Sequence, residues 1–191
     1  DITGMFSIEK IPVYFARYLA DAYPQFANQV GIHSADTSQS INNFNYQVEI
    51  KDTRGLQTLF VERLADIKDA TISGSFSNED SLLTARIDIP YFGMNQLRAA
   101  ALEMSFAING SDGVLQLQSE RFSPGNNITP APVRLRSEFS RDTIAFQLNY
   151  RDQLAHNMLN ALYLNGQLVA LDSMSTQLEL QDSWLEFWKD A

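Results

Sequence analysis

The chain has no cysteine, only two histidines, and just six prolines and nine glycines among 191 residues. Without cysteine it can form no disulfide, no thiolate-bound zinc site and no thiol nucleophile. The same absence says little about compartment. Neither His33 nor His156 heads a His-Glu-x-x-His pattern, so a zinc hydrolase site has no support. Cations are scarce: 14 Lys and Arg stand against 23 Asp and Glu, for a net charge of -9. Such a chain repels phosphate backbones, so no nucleic-acid partner is expected, and docking on an anionic leaflet is disfavoured. No uncharged apolar run approaches the about 18 residues of a membrane-spanning helix, and no charged-then-apolar leader opens the chain. With Asp1 in place of a methionine, the sequence reads as a piece of something longer.

Catalytic patterns are missing too. His33, Ser34 and Asp36 supply triad residue types, but within one loop and in no known motif order. There is no Gly-rich phosphate cradle. Asp66, Asp69 and Asp152 lack the spacing of a calcium loop. Glu79 and Asp80 sit in the turn cluster Ser77 to Asp80. The acceptor patterns Asn109-Gly110-Ser111 and Asn127-Ile128-Thr129 are better used as turn geometry. A non-enzymatic chain with no cofactor and no metal is expected.

What the chain does have is hydrophobic residues, at 45%, enough for a substantial core. Ile8, Ile11, Phe15, Leu19, Ala22 and Phe26 recur at three- and four-residue steps and predict an amphipathic helix over 7–30. Pro24 should kink or end it near Tyr23. Residues 31–40 read as a polar loop, which makes 1–40 a helix-and-loop unit preceding a β segment over 41–191. There the period changes to two. Phe44, Tyr46, Val48 and Ile50 alternate with polar residues, as a strand with one buried face does. Leu56, Leu59, Phe60, Leu64 and Ile67 briefly return to helical spacing.

After residue 69 strand follows strand. Ile72 and Phe76 lie on one stripe; Leu83, Ile87, Ile89 and Tyr91 on the next; then Leu102, Met104, Phe106 and Ile108. A hairpin over Asn109–Gly113, ending in an Asp-Gly pair, leads to Leu115 and Leu117. A bend is expected near Gly93. Val133, Leu135 and Phe139 follow, then a turn at 140–142, and Ile144, Phe146, Leu148 and Tyr150. Asn165-Gly166 is the strongest two-residue hairpin signal in the chain. Leu178 and Leu180 begin a last strand. Roughly nine strands with short connections predict an antiparallel up-and-down meander. Its apolar faces can seal against each other in a closed sandwich, or line an open trough that something else must cover.

Several segments resemble the TamB/AsmA-like family (translocation and assembly module, inner-membrane component) of Bacteroidetes-type bacteria. The run 59–67 resembles a short helix recurring there before a strand like 70–76. The strands 82–91 and 102–109, the segments 142–148 and 162–166, and the closing 178–185 follow in the same order and style. The resemblance covers roughly residues 44–190, and the N-terminal helix departs from it. It implies a mainly β fold, with one extended antiparallel sheet curled into an open apolar groove, a β-taco. It implies a periplasmic setting within an inner-membrane-anchored protein and an outer-membrane barrel partner of the TamA/BamA type. It also implies phospholipid acyl chains as ligand, for transport between membranes or for outer-membrane protein assembly. The groove lining it implies is Phe44, Tyr46, Val48, Ile50, Ile72, Phe76, Leu83, Ile87, Ile89, Leu102, Met104, Phe106, Ile108, Leu115, Leu117, Val133, Leu135, Ile144, Phe146 and Leu148. Ordinary core packing is the alternative for each of these positions. For the whole chain, the alternative is a closed β-sandwich serving as a structural or protein-binding envelope module.

Overall fold

The computed structural model describes residues 2–5, 18, 20–29, 43–53, 66–125, 130–151, 160–171 and 175–187. Among the described residues eleven strands form one sheet: β1 (Ile2–Met5), β2 (Asn43–Asp52), β3 (Asp66–Ser77), β4 (Leu82–Met94), β5 (Leu97–Asn109), β6 (Asp112–Ser123), β7 (Ala131–Ser140), β8 (Thr143–Arg151), β9 (Asn160–Ala170), β10 (Thr176–Leu180) and β11 (Trp184–Phe187). Spatial order follows chain order from β1 to β10, every pair is antiparallel, and β11 shares the edge of β9 with β10. The sheet is open, as the trough alternative requires. The closed sandwich is not realised, because it needs two facing sheets and every described strand belongs to one. The N-terminal region is also not separate from the β segment, since β1 pairs with β2 from Ile2↔Tyr46 to Met5↔Asn43.

Tight turns enforce the meander. β4 and β5, β5 and β6, and β7 and β8 are each joined by two residues. The first residue of each pair takes a left-handed φ: Asn95 at 55°, Gly110 at 60° and Arg141 at 49°. Two-residue hairpins demand that conformation, because it matches the right-handed strand twist. Gly and Asn adopt it readily; Arg141 is the costly case. Turns on one end of the sheet are stitched side by side. Gly110 N–H donates to Ser81 O at 2.8 Å, Arg141 N–H to Ser111 O at 3.0 Å, and Ala170 N–H to Asp142 O at 2.8 Å.

A helical segment packs over that end. Residues 18 and 20–22 are helical, Tyr23 is not, and the helix resumes as α1 (Pro24–Gln29). The break falls where Pro24 was expected to place it, because proline disfavours helical backbone in the residue before it. The Tyr18 hydroxyl donates to Ser81 O at 2.9 Å, and Gln25 N–H donates to Asp142 Oδ1 at 3.1 Å. Tyr18, Ala22 and Tyr23 close a core with Phe44, Phe76, Leu83 and Ile108. Tyr18 meets Phe76 edge-on at 5.9 Å, and Tyr23 meets Phe139 at 6.1 Å. Each such pair contributes about 0.5–1.5 kcal/mol beyond its buried area.

Several sequence expectations need correction. The Asn165-Gly166 pair is no turn: it lies within β9, paired with Gln147 and Phe146 of β8. Gly166 is there for close approach. A Cβ on it would meet Phe146 Cζ at 3.1 Å and Leu180 Cδ2 at 3.3 Å, and would collide with Glu179 O. The bend expected near Gly93 is the β4–β5 turn two residues on: β4 runs through Gly93 to Met94 and turns at Asn95-Gln96. The β5–β6 turn is Gly110-Ser111, and Asp112 and Gly113 already pair in β6. Ile67, expected in a helix with Leu56, Leu59, Phe60 and Leu64, belongs to β3 and pairs with Phe92. Those four partners, the helix positions before Tyr18, Leu19, the loop 31–40, His33, His156 and Asp152 lie outside the described residues.

Candidate functional site

Paired residues in an antiparallel sheet share a face, so the registers sort the strands into rows. The first apolar row runs Phe44, Phe76, Leu83, Ile108, Gly113, Phe139, Ile144, Leu168, Leu178. The helical segment lies on its early half, where Phe44, Phe76, Leu83 and Ile108 are all buried. The second row runs Tyr46, Gly74, Ala85, Phe106, Leu115, Ser137, Phe146, Gly166, Leu180. Aromatics alternate there with small residues, and the rings lean across the gaps. Tyr46 reaches over Gly74, and its hydroxyl donates to Thr84 O on the strand beyond at 3.0 Å. Burial raises the Tyr46 hydroxyl pKa above its ordinary value.

The third row is the centre of the site. Val48, Ile72, Ile87, Met104, Leu117, Leu135, Leu148 and Leu164 stand side by side across β2 to β9 without a polar residue among them. At a strand spacing of about 4.8 Å this band is roughly 34 Å wide. Val48 is 41% exposed and the other seven are half-buried. The fourth row holds Ile50 paired with Ala70, then Ile89, Leu102, Ser119, Val133, Tyr150, Leu162 and Leu185. Beyond it, left-handed backbone at Asp69 and Ala101 and a register shift between Ser119 and Phe122 interrupt the alternation. The apolar side then continues through Ile67, Phe92, Ala99, Phe122 and Ala131, with the Phe122 ring against Tyr150 at 6.4 Å.

All twenty residues read from the sequence as groove lining therefore fall on one face. Phe44, Phe76, Leu83 and Ile108 do not line an open surface: they are core beneath the helical segment, and Val133 is buried as well. The other fifteen are half-buried or, for Val48, exposed. Sequence reasoning missed Leu168, Leu164 and Leu162, which extend rows one, three and four onto β9. The signal was present, since Leu162, Leu164, Gly166 and Leu168 keep the two-residue period straight through the presumed turn.

The opposite face is polar. Behind the aliphatic band run Gln47, Ser73, Arg86, Ser105, Gln116, Arg136, Gln147 and Asn165. An open depression of about 490 Å³ lies here, lined by Arg86, Glu103, Gln118, Arg134, Arg136 and Asn149 among others. Its charged groups largely satisfy one another. Arg86 Nε bonds Asp88 Oδ2 at 3.1 Å, Arg136 Nη2 bonds Glu138 Oε1 at 2.9 Å, and Gln118 Nε2 donates to Glu103 Oε2 at 2.9 Å. The Asp88 carboxylate raises the Arg86 pKa, first through that hydrogen bond. Surface pairs of this kind contribute little to stability. Among the described residues no group of three or more His, Asp or Glu could hold a metal, and no helix is long and apolar enough to cross a membrane. No family model, curated protein or solved structure matches the chain.

Proposed function

We propose that the apolar face binds phospholipid acyl chains, and that the chain is a non-enzymatic periplasmic segment of a TamB/AsmA-like, inner-membrane-anchored protein. There it would serve lipid transport between membranes or outer-membrane protein assembly, together with a barrel partner of the TamA/BamA type. One observation carries the reading: the third row is aliphatic across eight strands, half-exposed, and backed by a wholly polar row. A face of that kind needs a cover. An acyl chain laid on it gains about 0.8 kcal/mol per buried CH₂, so eight methylenes contribute roughly 6 kcal/mol before immobilisation costs. The headgroup would stay in water at the margin, because burying it unpaired is expensive.

The test is native mass spectrometry and lipid extraction on the purified chain, followed by loading with phosphatidylethanolamine vesicles. Co-purifying or loadable phospholipid is expected, and Phe106→Asp or Phe146→Asp should abolish it. A clean chain that also refuses added phospholipid defeats the reading.

A further inference from the structure

β6, β7 and β8 are each paired along both edges. The polar depression of about 490 Å³ lies over them and β5. Met104, Leu117 and Leu135 line it through their backbone, because their side chains stand in the aliphatic band on the other face. Most of its charges are committed. Asp88 holds Arg86, Glu138 holds Arg136, and Gln118 holds Glu103. Arg134 is the exception. It is exposed and, among the described residues, makes no side-chain hydrogen bond or ion pair. Glu103 stands two strands away, about 10 Å, with Gln118 between them. Gln118 on β6 and Asn149 on β8 are the cross-strand neighbours of Arg134, one on either side. Gln147, two residues along β8 from Asn149, gives its Nε2 to the Tyr163 hydroxyl at 2.8 Å and keeps its Oε1. Gln118 likewise keeps its Oε1, and among the described residues Asn149 keeps both ends of its amide. The face thus offers one unspent guanidinium framed by amide groups.

We infer that this face binds a water-soluble acidic saccharide, with one carboxylate on Arg134 and ring hydroxyls on Gln118, Gln147 and Asn149. A guanidinium takes a carboxylate through two parallel N–H bonds, which fixes the orientation of the sugar as well as its charge. Hydroxyls are donors and acceptors at once, as amides are, whereas a plain anion would use the arginine alone. One unspent cation, in a chain of net charge -9, selects for sparse charge and against long polyanions. An acidic polypeptide fits less well, since an extended chain adds to a sheet through its backbone at an edge, and both edges of β6, β7 and β8 are taken. A glycolipid would need its acyl chains on the apolar face and its sugar on the opposite face of the same strands, so the occupant is a free saccharide chain. The volume falls within the about 300–1,000 Å³ of small-ligand sites. The inference does not rest on the lipid reading, because the two ligands would occupy opposite faces.

Three probes test it on the whole chain: cellobiouronate, cellobiose, and a capped glutamyl dipeptide. Calorimetry reads binding, and amide chemical shifts locate it. Cellobiouronate should bind at least about tenfold tighter than either of the others, weaken with salt, and shift amides on β6, β7 and β8 around Gln118, Arg134 and Asn149. Arg134→Gln should bring cellobiouronate down to the affinity of cellobiose, and Asn149→Ala should weaken both sugars. Both side chains are exposed, so unchanged far-UV circular dichroism is expected. If a variant does not fold, the comparison of probes on the unaltered chain still decides. Equal binding of the acidic and neutral sugars, equal or tighter binding of the dipeptide, no sugar binding at about 10 mM, or shifts confined to other strands overturns the proposal. So does an Arg134→Gln variant that keeps the full preference.

Discussion

Replacing Leu117 by aspartate sets a carboxylate in the middle of the aliphatic band, between Met104 on β5 and Leu135 on β7. Leu117 is only half-buried, so the new charge can reach water in the unloaded chain. The stability cost should stay near 1–2 kcal/mol, below that of a fully buried leucine. A bound acyl chain changes the balance, because it covers the carboxylate and strips its water. Covering a polar group without a partner costs about 2–3 kcal/mol, or roughly 30- to 150-fold in affinity. Gln116→Asp is the matched control. It adds the same charge one residue away on the same strand, but on the polar face. Competition with a fluorescent fatty acid measures both variants, and thermal unfolding confirms that both are folded. A large loss for Leu117→Asp beside a small change for Gln116→Asp is expected. Equal losses would mean that long-range charge controls binding, and no loss in either would refute the assignment of the apolar face.

Phe76 is 2% exposed beneath Tyr18, so Phe76→Ala should cost about 3–5 kcal/mol in urea unfolding. Gly166→Ala forces β10 away from β9; it should lose about 1–3 kcal/mol and speed amide exchange across 176–180 before the central strands. Burial pushes the Tyr18 and Tyr23 hydroxyls up to about 12, with Tyr18 and Asp112 adding to the effect at Tyr23. An unfolded tyrosine ionises near 10, so the unfolded chain sheds these protons first. The stability the two tyrosines lend is intact below pH 10 and is lost as pH rises towards 12. Tyr18→Phe should flatten that loss in unfolding curves taken between pH 9 and 12.

The alternation from Phe44 to Ile50, Leu102 to Ile108 and Ile144 to Tyr150 announces both the strands and the face they share, because a period of two is a direct consequence of the pleat. Phe44, Phe76, Leu83 and Ile108 show its limit. Alternation says which side of the sheet a residue takes, but not whether a helix then lies on it. The turns were half legible. Gly110 was recognised as part of a turn, yet the Asp-Gly pair beside it drew the boundary too late. Asn165-Gly166 misled for a more general reason. Glycine is used both where the backbone must turn and where two strands and a ring must come close, and only neighbours from elsewhere in the chain distinguish them. Here those neighbours are Phe146 and Glu179, 20 and 13 positions away. The exposed margin from Leu178 to Leu185 was likewise readable as a strand, but its being the last one depends on where pairing stops.

A sheet whose strands sit side by side in the order of synthesis has a consequence for how it grows. Each strand from β2 to β8 needs only its immediate predecessor and successor in the chain. Such a structure can zip up hairpin by hairpin, with small loops to close at nearly every step. It can also be lengthened by duplicating a hairpin, without redesigning any distant contact, much as solenoids lengthen by repeats. The span of its greasy side then becomes a quantity that evolution sets by counting hairpins.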